Sequence, residues 1–152
     1  MSSDRIVLAR NRRAFHEYEV LDRIEVGIAL VGTEVKSMRA KHFSFSDAYA
    51  RVRGGELWLF GLHVNEYSHG TLYNHQPLRD RKLLAHSEEI DRLRRRVEEK
   101  GFTLIPLEFY LKQGKVKLEL GVCRGKKLHD KRESLKRKAQ LRDAEREMRG
   151  QF

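Results

Sequence analysis

Between Tyr18 and Leu30 the even positions read Tyr18, Val20, Asp22, Ile24, Val26, Ile28 and Leu30, while the odd positions include Glu19, Arg23 and Glu25. A period of two, broken only at Asp22, marks a half-buried β-strand. Laid out straight at roughly 3.3 Å per residue, this segment would extend about 40 Å, too long for a small flat sheet. It is therefore expected to bend or break near Asp22 or Gly27, which favours a curled sheet or barrel.

Turn chemistry predicts two hairpins. One runs from Asp47 to Arg53, turns at Gly54-Gly55 and returns from Glu56 to Val64; the other runs from Phe102 to Leu111, turns at Gln113-Gly114 and returns from Lys115 to Val122. In the last strand Val116, Leu118, Leu120 and Val122 alternate with Lys115, Lys117 and Glu119, so one face is buried and the other is charged. Leu57-Trp58-Leu59-Phe60 is apolar on both faces, which suggests a central position.

Helical signals are fewer. Thr33 precedes Glu34-Val35-Lys36-Ser37-Met38-Arg39, a short helix expected to be capped by the hydroxyl. A longer helix is predicted from Ser87, with Glu88 and Glu89 at its positive end, Ile90, Leu93 and Val97 on one stripe, and Gly101 as its stop. The stretch from Asn65 to Lys82 has no clear period but carries Tyr67, His69, Tyr73, His75, Arg79, Arg81 and Lys82. Interleaved aromatic and basic residues suit stacking on bases and holding phosphates, and a plain connector is the alternative.

Charge is uneven along the 152 residues, whose formal net charge is +10: residues 124–152 carry +6 and residues 1–123 carry +4. Clustered cations are the footprint of a nucleic-acid binder, because neutralising phosphates releases counterions; a solubilising tail is the alternative. The helix-forming pattern beyond Ser134 has too thin an apolar face to dock on a core, so the tail is expected to be disordered when free and to order on a charged partner. The chain length fits one core with appendages: a flexible N-terminus over 1–10, a barrel over 11–123 and the basic tail over 124–152. The fold class expected is mainly β with helices, a six-stranded antiparallel barrel flanked by short helices.

Composition excludes several chemistries. A single cysteine, Cys123, permits no internal disulfide; it reads either as a small residue at the core edge or as a nucleophile beside Arg124. Seven histidines lack the spacing of a zinc site, and no phosphate loop, dinucleotide fingerprint or nucleophile elbow is present, so no metal, cofactor or catalytic residue is expected. The first residues lack a signal peptide's apolar stretch and no run has the length of a membrane span, so a cytoplasmic protein without a membrane partner is expected.

Four separated stretches occur in order: Asn11-Arg12-Arg13-Ala14 with His16 and Tyr18; Gly32-Thr33-Glu34-Val35-Lys36-Ser37 with Arg39; Arg81-Lys82-Leu83-Leu84; and Gly125-Lys126-Lys127 with His129-Asp130-Lys131-Arg132. Together they resemble the SsrA-binding protein family, known as small protein B, over about residues 10–133. The resemblance implies a barrel related to the oligonucleotide-binding (OB) fold. It also implies a non-enzymatic adaptor that grips the tRNA-like domain of transfer-messenger RNA. With elongation factor Tu, such an adaptor brings the alanylated RNA to stalled ribosomes for trans-translation.

On this resemblance the RNA-contacting residues are Asn11, Glu25, Leu84 and Lys117. The segment facing the ribosomal message channel and the small-subunit decoding centre holds Arg124, Lys126, Lys127, His129, Asp130, Lys131 and Arg132. Lys117 suits its role because alternation already places it outward; Glu25 can accept from a base or ribose, or orient a cation. Phe43-Ser44-Phe45-Ser46 departs from many relatives, which usually carry a glycine near Lys41 or His42. A ribosomal protein and an RNA-modifying enzyme remain the alternative readings of the same basic composition.

Overall fold

The computed structural model describes residues 5–69 and 74–126. Its elements are β1 (Arg5–Arg10), α1 (Arg12–Glu17), β2 (Tyr18–Ile28), α2 (Gly32–Arg39), β3 (Phe43–Ser44), β4 (Tyr49–Arg53), β5 (Glu56–Phe60), β6 (His63–Val64), β7 (Arg81–Leu84), α3 (Ser87–Lys100), β8 (Thr103–Lys112) and β9 (Lys115–Gly125). Six strands form a closed ring in the order β8, β4, β5, β7, β2, β9 and back to β8, and every pairing is antiparallel. This ring answers to the expected barrel. The strand β1 lies outside it, along the edge of β8 that also meets β4 through Ala50 and Leu104. A separate small sheet pairs β3 with β6.

Both anticipated hairpins form. Gly54 and Gly55 have φ of +62° and +76°, and Gln113 and Gly114 have +52° and +76°. Two successive left-handed residues match the right-handed twist of the flanking strands. The long first strand does not break; it bends at Leu21, which is left without a partner where the β2–β9 register shifts between Val20 and Asp22. The sixth strand of the ring is instead the short β7.

Inside the ring Leu57, Leu59, Leu83, Phe109, Leu118 and Leu120 are buried, and Phe43 and Phe45 pack edge-on against Phe109 at 5.5 and 4.8 Å between centroids. Helix α3 buries Leu93 and lays Ile90 and Val97 against this core, as its stripe predicts. Its ends are satisfied locally: the His86 N–H donates to Glu89 Oε1 at 3.1 Å, and Gly101 closes the helix at φ +70°.

A second bulge displaces Leu107 between Pro106 and Glu108 on β8. Leu107 thereby covers Gly121, where an added Cβ would lie 2.7 Å from Leu107 Cδ1. With Ala14, Ile105 and Cys123 it makes a second apolar cluster. Cys123 is fully buried there, and burial pushes its thiol up to about 11, which fits a packing residue and not a nucleophile.

Three sequence expectations are corrected. Residues 5–10, expected to be loose, form β1 against Lys112 to Glu108. The Thr33 hydroxyl does not cap α2, because the helix begins two residues earlier, at Gly32, and the Glu34 carboxylate takes the Val31 N–H at 2.9 Å. Thr33 instead meets His75 Nδ1 at 2.9 Å while His75 Nε2 lies 2.9 Å from the Val64 carbonyl; a carbonyl only accepts, so Nε2 carries the proton. Finally, the basic residues of the 65–82 stretch do not all face solvent, since Arg81 is fully buried and His75 nearly so.

What draws Arg81 inward is Glu34, also fully buried, which accepts from Arg81 Nε at 2.6 Å and from Arg79 Nη2 at 2.5 Å. Arg81 spends its other donors on the carbonyls of Leu62, Arg79 and Pro77 at 2.7, 3.0 and 3.1 Å. Burial alone would raise the Glu34 carboxyl, but the hydrogen bonds from Arg79, the Val31 N–H and Arg81 outweigh it and hold the group below the usual carboxylate range. Its contribution to stability is therefore present above the ordinary value of about 4.3 and lost as pH falls through the depressed one. Glu34→Ala strands a buried guanidinium and is expected to cost about 3–5 kcal/mol in urea unfolding at neutral pH. Gly32→Ala, whose Cβ would meet nothing within 4 Å, is expected to stay within about 0.5 kcal/mol of the parent.

Candidate nucleic-acid interface

Outward positions on β2, β7 and β9 bring three of the four expected RNA-contacting residues together. Gly27 lies opposite both Leu84 and Lys117, and Glu25 is the next outward residue on β2. Leu84 is 50% exposed although it is a large aliphatic side chain, and it rests on Gly27, where an added Cβ would stand 3.3 Å from its own Cβ. A shallow groove lined by Gly27, Leu84, Gly114, Lys115 and Lys117 runs beside it.

Glu25 is held in place by its neighbours. The Tyr110 hydroxyl donates to Glu25 Oε2 at 2.5 Å, Lys112 Nζ lies 3.2 Å from Oε1, and Lys117 Nζ lies 3.9 Å from Oε1. The tyrosine hydrogen bond keeps the Glu25 carboxyl below its usual range, assisted by Lys112 and Lys117 against some desolvation. Burial, then the hydrogen bond to Glu25 and its negative charge, push the Tyr110 phenol well above its ordinary value. Chemically, Glu25 works as an orienter of two ammonium groups, so the face offers cations beside an exposed aliphatic residue. Phosphate contact and packing against a sugar or base both suit such a surface.

Around this cluster the outer faces of β1, β8 and β9 carry a charge ladder. Arg5 pairs with Glu108 at 2.5 Å and with Glu119 at 3.4 Å, and its guanidinium lies 3.6 Å from the Tyr110 ring centroid. Arg23 reaches Glu119 at 3.1 Å. The sequence reading missed Tyr110 and Lys112 as partners of Glu25. Their signal was the outward register opposite Lys117 and Lys115, which a single sequence shows only once the hairpin is aligned.

Asn11 stands apart from the other three residues. It is buried, its Oδ1 accepts from the Ala14 N–H at 3.0 Å as the cap of α1, and its Nδ2 donates to the Pro106 carbonyl at 3.1 Å. Its own N–H donates to the Leu107 carbonyl at 2.8 Å. Helix α1 was not read from the sequence, although Asn11 before Arg12-Arg13-Ala14 is a recognisable cap. Of the residues expected to face the ribosome, Arg124 pairs with Glu19 at 2.6 Å beside the start of β2, and Lys126 is exposed. Lys127, His129, Asp130, Lys131 and Arg132 lie outside the described residues, as do the remaining tail positions. Among the described residues no group of three or more metal-binding side chains occurs, and no helix is long and apolar enough to cross a membrane.

Two outcomes test these assignments. Asn11→Ala is expected to destabilise the fold by about 1–2 kcal/mol and to quicken alkylation of Cys123, read by mass spectrometry, because it loosens the helix that covers the thiol. In an alkaline spectrophotometric titration, Glu25→Gln is expected to lower the late-titrating phenol only part of the way, because burial persists, and Tyr110→Phe to remove it. The sign follows from the raised phenol: its contribution to stability is complete below the unfolded value and declines as pH rises toward the folded one.

Comparison with known proteins places this arrangement in a family. The family model described as SmpB protein matches residues 8–150. The SsrA-binding protein of Treponema pallidum (strain Nichols) is 57% identical over 142 residues, spanning 93% of this chain and 92% of the relative. That of Acetivibrio thermocellus is 49% identical over 146 residues, spanning 96% and 95%. A solved chain described under "tmRNA-SmpB: a journey to the center of the bacterial ribosome" superposes with a TM-score of 0.66 at 49% identity, covering 78% of this chain and 83% of that one. Matched along nearly its whole length, this chain belongs to the SmpB protein family.

Proposed function

We propose that this protein is a non-enzymatic cytoplasmic adaptor in trans-translation, which binds the tRNA-like domain of transfer-messenger RNA and delivers it to stalled ribosomes. The observation that carries the division of labour is the placement of two basic sites at opposite ends of β9. Lys117, with Glu25 and Leu84, lies near its start, and Arg124 lies near its end beside α1. Seven residue-to-residue steps of strand separate them by about 23 Å at roughly 3.3 Å each. A single strand thus links an RNA-gripping face to the point where the basic segment leaves the ring.

On this reading Lys117 and Lys112 contact phosphates, Leu84 packs on a sugar or base, and Glu25 holds the two lysines while accepting from a ribose hydroxyl or base amino group. Residues 124–152 occupy the empty message channel and meet the decoding centre, with His129 stacking on a ribosomal base and Asp130 steadying a neighbouring cation. Elongation factor Tu accompanies the alanylated RNA. Asn11 acts through α1, whose Ala14 shares an apolar cluster with Cys123, the residue before Arg124. Family membership and the ribosome-bound relative support this over a ribosomal protein or an RNA-modifying enzyme.

RNA recovered on the immobilised full chain from a bacterial lysate is expected to be dominated by one abundant structured species, transfer-messenger RNA. Equal recovery of ribosomal and bulk transfer RNA would sink the adaptor reading. A chain ending at Lys126, which keeps all of β9, is expected to retain most of that RNA binding and to lose peptide tagging on stalled ribosomes. The slope of log K against log salt should fall by about 0.7–0.9 for each phosphate contact removed.

A further inference from the structure

Beyond β7 the outer face of the ring carries a patch that the Glu25–Leu84–Lys117 cluster does not use. Arg51 on β4 lies opposite Trp58 on β5, and Trp58 lies opposite Lys82 on β7. All three point outward, because the alternating residues Ala50, Leu57, Leu59 and Leu83 are buried. The Arg53 guanidinium lies 5.2 Å from the Trp58 ring and 5.3 Å from the Phe60 ring, and Phe60 stacks on Tyr49 at 5.5 Å. Arg51, Arg53, Tyr49 and Lys82 are exposed, while Trp58 and Phe60 are half-buried and so rigidly seated. The carboxylate paired with these cations among the described residues is that of Glu56, on Lys82 at 3.4 Å.

We infer that this patch is a second RNA-binding site, which takes an unpaired stretch of RNA by stacking bases on Trp58 and Arg53 while Arg51 and Lys82 hold flanking phosphates. The inference rests on the RNA-adaptor reading and extends it from one face of the ring to its neighbour. Three features favour a single strand of RNA as the occupant. The cations outnumber the one paired acid, aromatic rings sit among them in register, and a half-buried indole presents a π-face at small entropic cost. The patch is also continuous with the first site, since Lys82 and Leu84 are successive outward residues of β7 and Leu84 meets Gly27. An RNA that leaves the Leu84 groove can therefore continue across β7 without a gap in positive charge.

Trp58 is the only tryptophan of the chain, so it reports its own occupancy. The full chain is titrated with an oligouridylate of about a dozen nucleotides, which suits a site of this size, and with a duplex of equal length. The single strand is expected to quench Trp58 fluorescence, and the duplex to leave it unchanged. Trp58→Ala is expected to weaken binding of the labelled oligonucleotide roughly 5- to 150-fold by anisotropy, and Trp58→Phe to restore most of it. The double variant Arg51→Ala with Arg53→Ala should lose quenching and lower the salt slope by about 0.7, the share of the single phosphate contact made by Arg51. Unchanged fluorescence at saturating single strand would overturn the inference, as would equal quenching in the double variant or equal response to the duplex. Failure of the full chain to enrich transfer-messenger RNA defeats the adaptor reading alone, because the oligonucleotide titration decides the patch by itself.

Discussion

Closure of the ring depends on the buried carboxylate of Glu34. Strand β7 has four residues and is the slightest member of the ring, joined to β2 through the partners of Leu83 and Leu84 and to β5 through those of Arg81, Lys82 and Leu83. So short a strand contributes little cohesion of its own. Arg81 fixes its first residue by pairing with Glu34 on α2, and its remaining donors collect carbonyls from Leu62, Arg79 and Pro77. A buried ion pair adds modest net stability when intact, because desolvation offsets most of the attraction, but it is costly to break on one side only. Its effect here is to specify geometry. The pair sets the register of β7, and with it the outward presentation of Lys82 and Leu84.

The two bulges divide the outer surface into unlike regions. At Leu107 an extra residue on β8 turns the outer face apolar, where α1 covers Ile105, Leu107 and Cys123. Past the bulge the register is reset: Glu108 and Lys112 face outward as a charged surface, and Tyr110 between them lies beneath the Arg5 guanidinium. At Leu21 the bend in β2 separates the segment beside Cys123 from the segment that carries Glu25. Were β2 and β8, the two neighbours of β9, both straight, no position would remain at which the continuous strand between them could be covered by a helix at one end and open to a partner at the other.

Sequence periodicity made the ring legible where partners are near in the chain. Both hairpins follow from turn residues that tolerate left-handed backbone, and α3 follows from its stripe and its terminal glycine. The alternation of β9 placed Lys117 outward correctly. Elements too short to display a period were missed: β1 reads only as a brief apolar run, and α1 spans less than two full turns. The inward turn of Arg79 and Arg81 was also hidden, because nothing local marks a pairing with Glu34 more than forty residues earlier. Composition assigned those cations to a phosphate-holding loop, but satisfying a buried carboxylate has the stronger claim, since leaving it unpaired is far more expensive than forgoing a solvated contact.

The same reasoning separates placement from mere charge on the surface. The cations of the outer ladder are matched by Glu25, Glu108 and Glu119, so their net contribution to long-range attraction is small, and their positions are sharply defined. Fixed cations give specificity, because a phosphate must arrive where the lysine already stands. Unmatched ones supply affinity that varies with salt and tolerates many sequences. Around the ring the character changes from matched at Glu25 to largely unmatched at Arg51 and Arg53, and the C-terminal segment carries the greatest excess of all. A partner gripped at the matched site and only held elsewhere can shift its outlying contacts without losing its register, as an adaptor passing RNA into a crowded ribosomal site requires.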